Sequence, residues 1–87
     1  MANRNEVYSA INGERDYQDQ RWADTDVDKR LSVGEGVLLI EEYAARARET
    51  WAGEPNPELG TLQVIRKIAA LAVRVMEAHG APRREGF

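Results

Sequence analysis

SVGEGVLLIEEYAARARETWAG, residues 32–53, decides the fold. Ser32 and Glu35 stand at the spacing of a capping box, in which the hydroxyl accepts from the backbone N–H of residue 35 and the carboxylate reaches back to the N–H of residue 32. A helix therefore starts here. Behind the cap, Val33, Val37, Ile40, Ala44, Ala47 and Trp51 recur at spacings of four and three, a heptad-like seam that packs helix against helix. Gly53 is expected to close the helix by taking the left-handed backbone common at C-termini. The helix is read over about 32–52.

Toward the C-terminus, Gly53-Glu54-Pro55-Asn56-Pro57 forms a connection in which Asn56 is the expected cap and Pro57 the first helical residue. A further helix spans about 57–79 and stops at Gly80 and Pro82. Gly60 weakens its first turn by about 1 kcal/mol relative to alanine. Leu62, Val64, Ile65, Ile68, Ala69, Leu71, Ala72, Val73, Val75 and Met76 cover more than half its circumference. Gln63, Arg66, Lys67, Arg74 and Glu77 form the remaining polar stripe. A helix apolar on two sides needs cover on two sides, so a homo-oligomer with this helix near the interface is expected. The tail Arg83-Arg84-Glu85-Gly86-Phe87 reads as loose or docked on a neighbour.

Toward the N-terminus, a helix is read over about 5–22, capped by Asn3 or Asn5. Tyr8, Ile11 and Trp22 lie on one face, yet Arg15 and Gln18 share that stripe, which is unusual for a helix serving only as core. Residues 23–31 read as a loop, with Asp24, Asp26 and Asp28 at alternate positions. The chain is thus expected to be all-α, a single domain over residues 1–87, a three-helix antiparallel bundle that completes its core by oligomerisation.

Eighty-seven residues bury only a modest core. The lack of cysteine excludes disulfides and thiolate metal sites and fits a reducing compartment. The polar start Met1-Ala2-Asn3-Arg4-Asn5-Glu6 is unlike a secretory signal, and no apolar run approaches the roughly 20 residues of a membrane span. The cytoplasm is the expected location. Twelve basic and 15 acidic side chains give a net charge of −3, without the positive field that long nucleic acids require. Neither a long nucleic acid nor a membrane is an expected partner. A small anion needs only two or three placed cations.

Catalytic inventories fail one by one. His79 is the sole histidine, and its place beside Gly80 is explained by the helix dipole. Asp24-Thr25-Asp26-Val27-Asp28 resembles the start of a calcium loop, but its sixth position is Lys29 rather than glycine, and Glu35 at the twelfth belongs to the capping box. Glu41 and Glu42 lack the acids at three- or four-residue spacing that would gather a divalent cation. Glu42 instead faces Arg46 across one turn. No catalytic residue, metal or cofactor is expected.

Glu14-Arg15-Asp16-Tyr17-Gln18-Asp19-Gln20-Arg21-Trp22, the Ser32 helix with Glu41-Glu42, and Ile65-Arg66-Lys67-Ile68-Ala69-Ala70 together resemble small phage proteins related to the MazG-like all-α nucleotide pyrophosphohydrolases. The resemblance runs from about Val7 to Arg83. In catalytic members, acids on two helices hold magnesium against a nucleoside triphosphate. This chain keeps Glu41 and Glu42 but has Arg66 and Lys67 on the facing helix. It more closely resembles the phage anti-CBASS sponges, which sequester the cyclic oligonucleotide messengers of bacterial immunity. That resemblance implies a hexamer whose pockets between subunits hold the messenger uncleaved, acting for immune evasion in the host bacterial cytoplasm. It also implies a tyrosine on the first helix, a lysine in the next loop and an arginine on the third helix, here Tyr8 or Tyr17, Lys29 and Arg66.

The residues supply an independent argument. A cyclic di- or trinucleotide presents phosphates and flat bases, which call for cations and for aromatic or guanidinium planes. Tyr8, Arg15, Tyr17, Lys29, Arg66 and Lys67 are the expected ligand-binding set, and Arg21 and Trp22 add to the materials on the first helix. Trp22 and Tyr43 read as core. Three functions remain open: a sponge that binds without cleaving, a magnesium-dependent pyrophosphohydrolase, and a helical module that grips another protein.

Overall fold

The capping box forms as written. Glu35 N–H donates to Ser32 Oγ at 3.0 Å, and Ser32 N–H donates to Glu35 Oε1 at 3.1 Å. The computed structural model describes residues 1–22 and 31–85. Within them run α1 (Arg4–Trp22), α2 (Val33–Gly53) and α3 (Glu58–His79). There is no strand among the described residues, and the protein is an all-α three-helix bundle. Asp24, Asp26, Asp28, Lys29, Gly86 and Phe87 lie outside the described residues.

Both ends of α2 and α3 and the start of α1 have local causes. Asn3 caps α1, its Oδ1 accepting the Glu6 N–H at 2.9 Å, which decides between the two asparagines. At α2 the expectation for Gly53 fails: it is the last helical residue, and among the described residues only Gly80 has positive φ. The terminator is Pro55, because a residue preceding proline is pushed out of the helical region, and Glu54 is accordingly extended at φ −112° and ψ 146°. Asn56 does not cap α3. Pro57 holds that position with no side-chain bond, and its carbonyl accepts the Thr61 N–H at 2.9 Å. Gly80, at φ 126°, closes α3 by donating its N–H to the Met76 carbonyl at 2.7 Å.

The third helix packs against both others. It comes close to α2 at Gly36, where a Cβ would stand 2.5 Å from Val75 Cγ2. At the other end of the same contact, a Cβ on Gly60 would stand 3.2 Å from Thr50 Cγ2. This line runs beside the heptad-like seam rather than through its centre. Ile40 and Ala47 are partly buried, whereas Val33, Val37 and Trp51 are about half exposed. His79 adds a tie by donating from Nε2 to the Leu31 carbonyl at 2.6 Å, fastening the end of α3 to the residue before the α2 cap.

Little hydrocarbon is fully hidden. Among the described residues Leu31, Ala70 and Leu71 are the buried apolar ones, while Glu14, Arg15, Gln18 and Arg74 are buried polar ones. This accounts for the polar interruption of the α1 stripe: the face that α1 turns to α3 is a row of hydrogen-bonding groups. Among the described residues no helix is long and apolar enough to cross a membrane.

Candidate functional site

Glu14 is the anchor. Its carboxylate, 7% exposed, accepts Arg66 Nε at 2.8 Å and lies 3.5 Å from Lys67 Nζ. One residue on, Arg15 turns to the far end of α3 and meets Glu77 through Nε at 2.8 Å and Nη2 at 3.4 Å. The same guanidinium reaches Asp19 at 2.9 Å and Gln18 at 3.4 Å. The Glu77 hydrogen bond raises its pKa above the ordinary arginine value against the opposing effect of burial. Adjacent residues of opposite charge thus clamp α1 to two places on α3. Arg74 lies over the Trp22 ring, 4.4 Å from its centroid, with its pKa lowered first by burial and then by Arg15.

Beside these clamps a cleft of about 350 Å³ opens where all three helices meet. From α1 come Glu14, Tyr17, Gln18, Arg21 and Trp22, from α2 Tyr43 and Arg46, and from α3 Val64 and Lys67. The spacings explain the convergence. Positions 14, 17, 18 and 21 share one face of a 3.6-residue helix, and the pairs 43/46 and 64/67 are each one turn apart. Lys67 Nζ stands 5.8 Å from the Tyr17 ring centroid, and the Arg46 guanidinium stands 4.7 Å from that of Tyr43. The cleft therefore combines three aromatic rings with three cations, two of the cations already lying over rings.

Two of the cations carry partners that an entering anion would share. Arg46 pairs with Glu42 at 3.1 Å on the exposed surface, as the sequence spacing predicts. Lys67 makes the longer of the two contacts to Glu14, at 3.5 Å, with its side chain 38% exposed. Both Glu14 and Lys67 line the cleft, and the Glu14 carboxylate has its shorter contact, at 2.8 Å, from Arg66. Among the described residues, no three His, Asp or Glu side chains gather into a group suited to a metal ion.

Of the residues the sequence singles out, Tyr17 and Lys67 line this cleft. Tyr8 lies more than two turns earlier on α1, is 57% exposed and is not among the lining residues. Arg15 is turned into the α1–α3 clamp, and Arg66 is engaged with Glu14 and is not among the lining residues. No family model, curated protein or solved structure matches this chain. The cleft's chemistry therefore has to be read from its own geometry.

That geometry also brings in residues that the expected set omits. Trp22 and Tyr43 are partly buried and line the cleft instead of filling the core. Arg21, Arg46, Gln18 and Glu14 complete it. The available signal was local: Tyr43 and Arg46 stand one helical turn apart, the spacing that places a guanidinium over a ring.

Proposed function

We propose that this chain binds a cyclic oligonucleotide messenger in the three-helix cleft and holds it uncleaved, as a sponge that would suppress CBASS-type antiphage signalling. The observation carrying this reading is the convergence of Tyr17, Trp22 and Tyr43 with Arg21, Arg46 and Lys67 on one cleft. Aromatic faces stack on bases of any identity, at about 1–3 kcal/mol per base. Cations beside those faces meet phosphates through charge-assisted hydrogen bonds. A volume of about 350 Å³ sits at the small end of ligand sites, so one base with its phosphate fills the cleft and the rest of the ring extends into solvent or to another subunit.

The resemblance to MazG-like hydrolases does not alter this reading. Arg66 and Lys67 stand at the carboxylate of Glu14, and Glu42 is paired with Arg46, so these carboxylates are surrounded by cations rather than by the further acids a magnesium cage would need.

The test is calorimetric titration with a panel of cyclic di- and trinucleotides, with linear and mononucleotide controls, in buffer containing magnesium. Bound ligand is then released by denaturation and weighed by mass spectrometry. The expected result is binding of at least one cyclic ligand, its recovery at unchanged mass, and at least tenfold weaker binding by Lys67→Ala and Trp22→Ala. Conversion of ligand to linear or smaller products identifies a hydrolase instead. A complete absence of nucleotide binding leaves the protein-interaction module.

A further inference from the structure

The three-helix cleft is graded in depth. Glu14 and Gln18 are its buried lining residues and form the floor, whereas Tyr17, Arg21 and Arg46 are exposed at the rim. The two floor residues stand four apart on α1, which places them one above the other on a single face of that helix. Two of the three cleft cations, Arg21 and Arg46, are therefore at the mouth, and hydrogen-bonding groups are at the bottom.

The chemistry of the floor is directional. The Glu14 carboxylate has a cation on each oxygen, Arg66 on Oε1 at 2.8 Å and Lys67 on Oε2 at 3.5 Å, so it accepts hydrogen bonds and donates none. A carboxylate offers about four lone-pair positions, and these contacts occupy two of them. Gln18 Oε1 accepts from Arg15 Nη1 at 3.4 Å. A guanidinium can only donate, so this contact fixes which way the amide points and leaves its N–H2 as the end offered to the cleft. An acceptor and a donor thus stand side by side on the floor.

We infer that the cleft selects guanine, with Glu14 accepting from N1–H and N2–H2 and Gln18 donating to O6, an inference that rests on the cleft being the nucleotide site. Charge sets the orientation. The Glu14 carboxylate repels a phosphate, which stays with Arg21 and Arg46 while the base enters. Arg21 lies seven residues beyond Glu14, about 10 Å along α1, so one nucleotide can meet both ends. Guanine presents two adjacent N–H donors and then a carbonyl acceptor on its Watson–Crick edge. Adenine presents one amine donor and a ring-nitrogen acceptor, and uracil a single N–H between two carbonyls, so each makes one bond fewer to the floor. A base that leaves a buried polar group unpaired is rejected more strongly than the missing bond alone would suggest. Tyr17 and Trp22 add stacking that every base shares, which gives affinity without selection.

The experiment is calorimetric titration with four cyclic dinucleotides of one linkage that differ only in carrying two guanines, two hypoxanthines, two adenines or two uracils. Hypoxanthine lacks only the N2 amine of guanine and so probes the second N–H without altering the protein. Wild type is expected to bind the guanine ring at least tenfold more tightly than each of the others, as suits a bidentate contact to a base edge. In Glu14→Gln the carbonyl stays with Arg66 and the new N–H2 opposes the guanine donors, so guanine and hypoxanthine are expected within threefold of each other. Lys67, released in that variant, acts on the phosphates of both ligands alike and leaves their ratio unchanged. Gln18→Glu is the second variant should Glu14→Gln unfold the chain. It sets a carboxylate against O6 and is expected to lower the preference for guanine over adenine at least tenfold. Equal affinities for the four rings, or a guanine preference that survives both substitutions, overturn the selection and leave a cleft that binds by stacking. If none of the four rings binds, the cleft is not the nucleotide site and the selection falls with it.

Discussion

Arg66 Nε lies 2.8 Å from Glu14 Oε1, joining α3 to α1 through a carboxylate buried on nearly every side. Burial without that partner would be costly, since a lone carboxylate loses its hydration and gains nothing in exchange. Replacing Glu14 with Gln keeps the shape and removes the charge. Because the Arg66 and Lys67 side chains are 37% and 38% exposed, water takes over part of their pairing. The expected loss is therefore about 1–3 kcal/mol, below that for breaking a fully buried pair. Chemical denaturation of Glu14→Gln beside wild type measures it, and an unchanged midpoint would show that the pair contributes nothing net. The same variant should bind an anionic ligand more tightly, because Lys67 no longer divides its charge.

Two of the caps were legible because their chemistry is local, whereas Gly53 and Asn56 lost their expected places to the prolines beside them. The Ser32/Glu35 box and the Gly80 stop each involve residues within four positions, and the structure has both where the sequence reading placed them. The interior was not legible for the opposite reason. Glu14 finds Arg66 at a separation of 52 residues, and Arg15 finds Glu77 at 62, so nothing near Arg15 marks it as a clamp instead of a ligand contact. Trp22 and Tyr43, partly buried and lining the cleft, show the same limit, since ring size predicts burial but not whether the burying surface leaves a cleft.

The separation of clamp from cleft can be tested on Arg15 and Lys67. Arg15→Ala removes contacts to Glu77, Asp19 and Gln18 and is expected to cost about 1–3 kcal/mol, with any loss of ligand binding following the loss of folded protein. Lys67→Ala removes a half-exposed contact and should change stability by less than about 1 kcal/mol while weakening ligand binding at least tenfold. Thermal melts paired with titrations separate the two. An Arg15→Ala chain that is as stable as wild type and no longer binds would place the arginine in the site after all.

Glycines give a contrast of sign. Gly13 sits in α1 with nothing within 4 Å of a Cβ, so Gly13→Ala should stabilise the chain by up to about 1 kcal/mol through helix propensity alone. Gly36→Ala gains the same propensity but drives its methyl to 2.5 Å from Val75 Cγ2. A net loss of about 1–3 kcal/mol is expected as α2 and α3 are forced apart. The double variant Gly36→Ala/Val75→Ala should recover part of that loss, since it removes the methyls that collide. Additive losses in the double variant would mean that the two helices are not held at this distance.

Acid should weaken the cap at the N-terminus of α2. The Glu35 carboxyl has a pKa below its ordinary value of 4.5, chiefly because the Ser32 backbone N–H bonds its charged form and secondarily because the Ser32 hydroxyl does. A carboxyl depressed on folding binds fewer protons in the native state than in the unfolded chain, so its stabilisation is complete above 4.5 and is lost as the pH falls through the lower, folded-state value. Glu35→Gln retains an acceptor for the Ser32 N–H and keeps the box without the titration. Stability measured between pH 7 and pH 3 should therefore fall less steeply in Glu35→Gln than in wild type, while Glu35→Ala should be less stable than both at neutral pH. Parallel pH profiles for wild type and Glu35→Gln would show that the carboxylate charge contributes nothing to this cap.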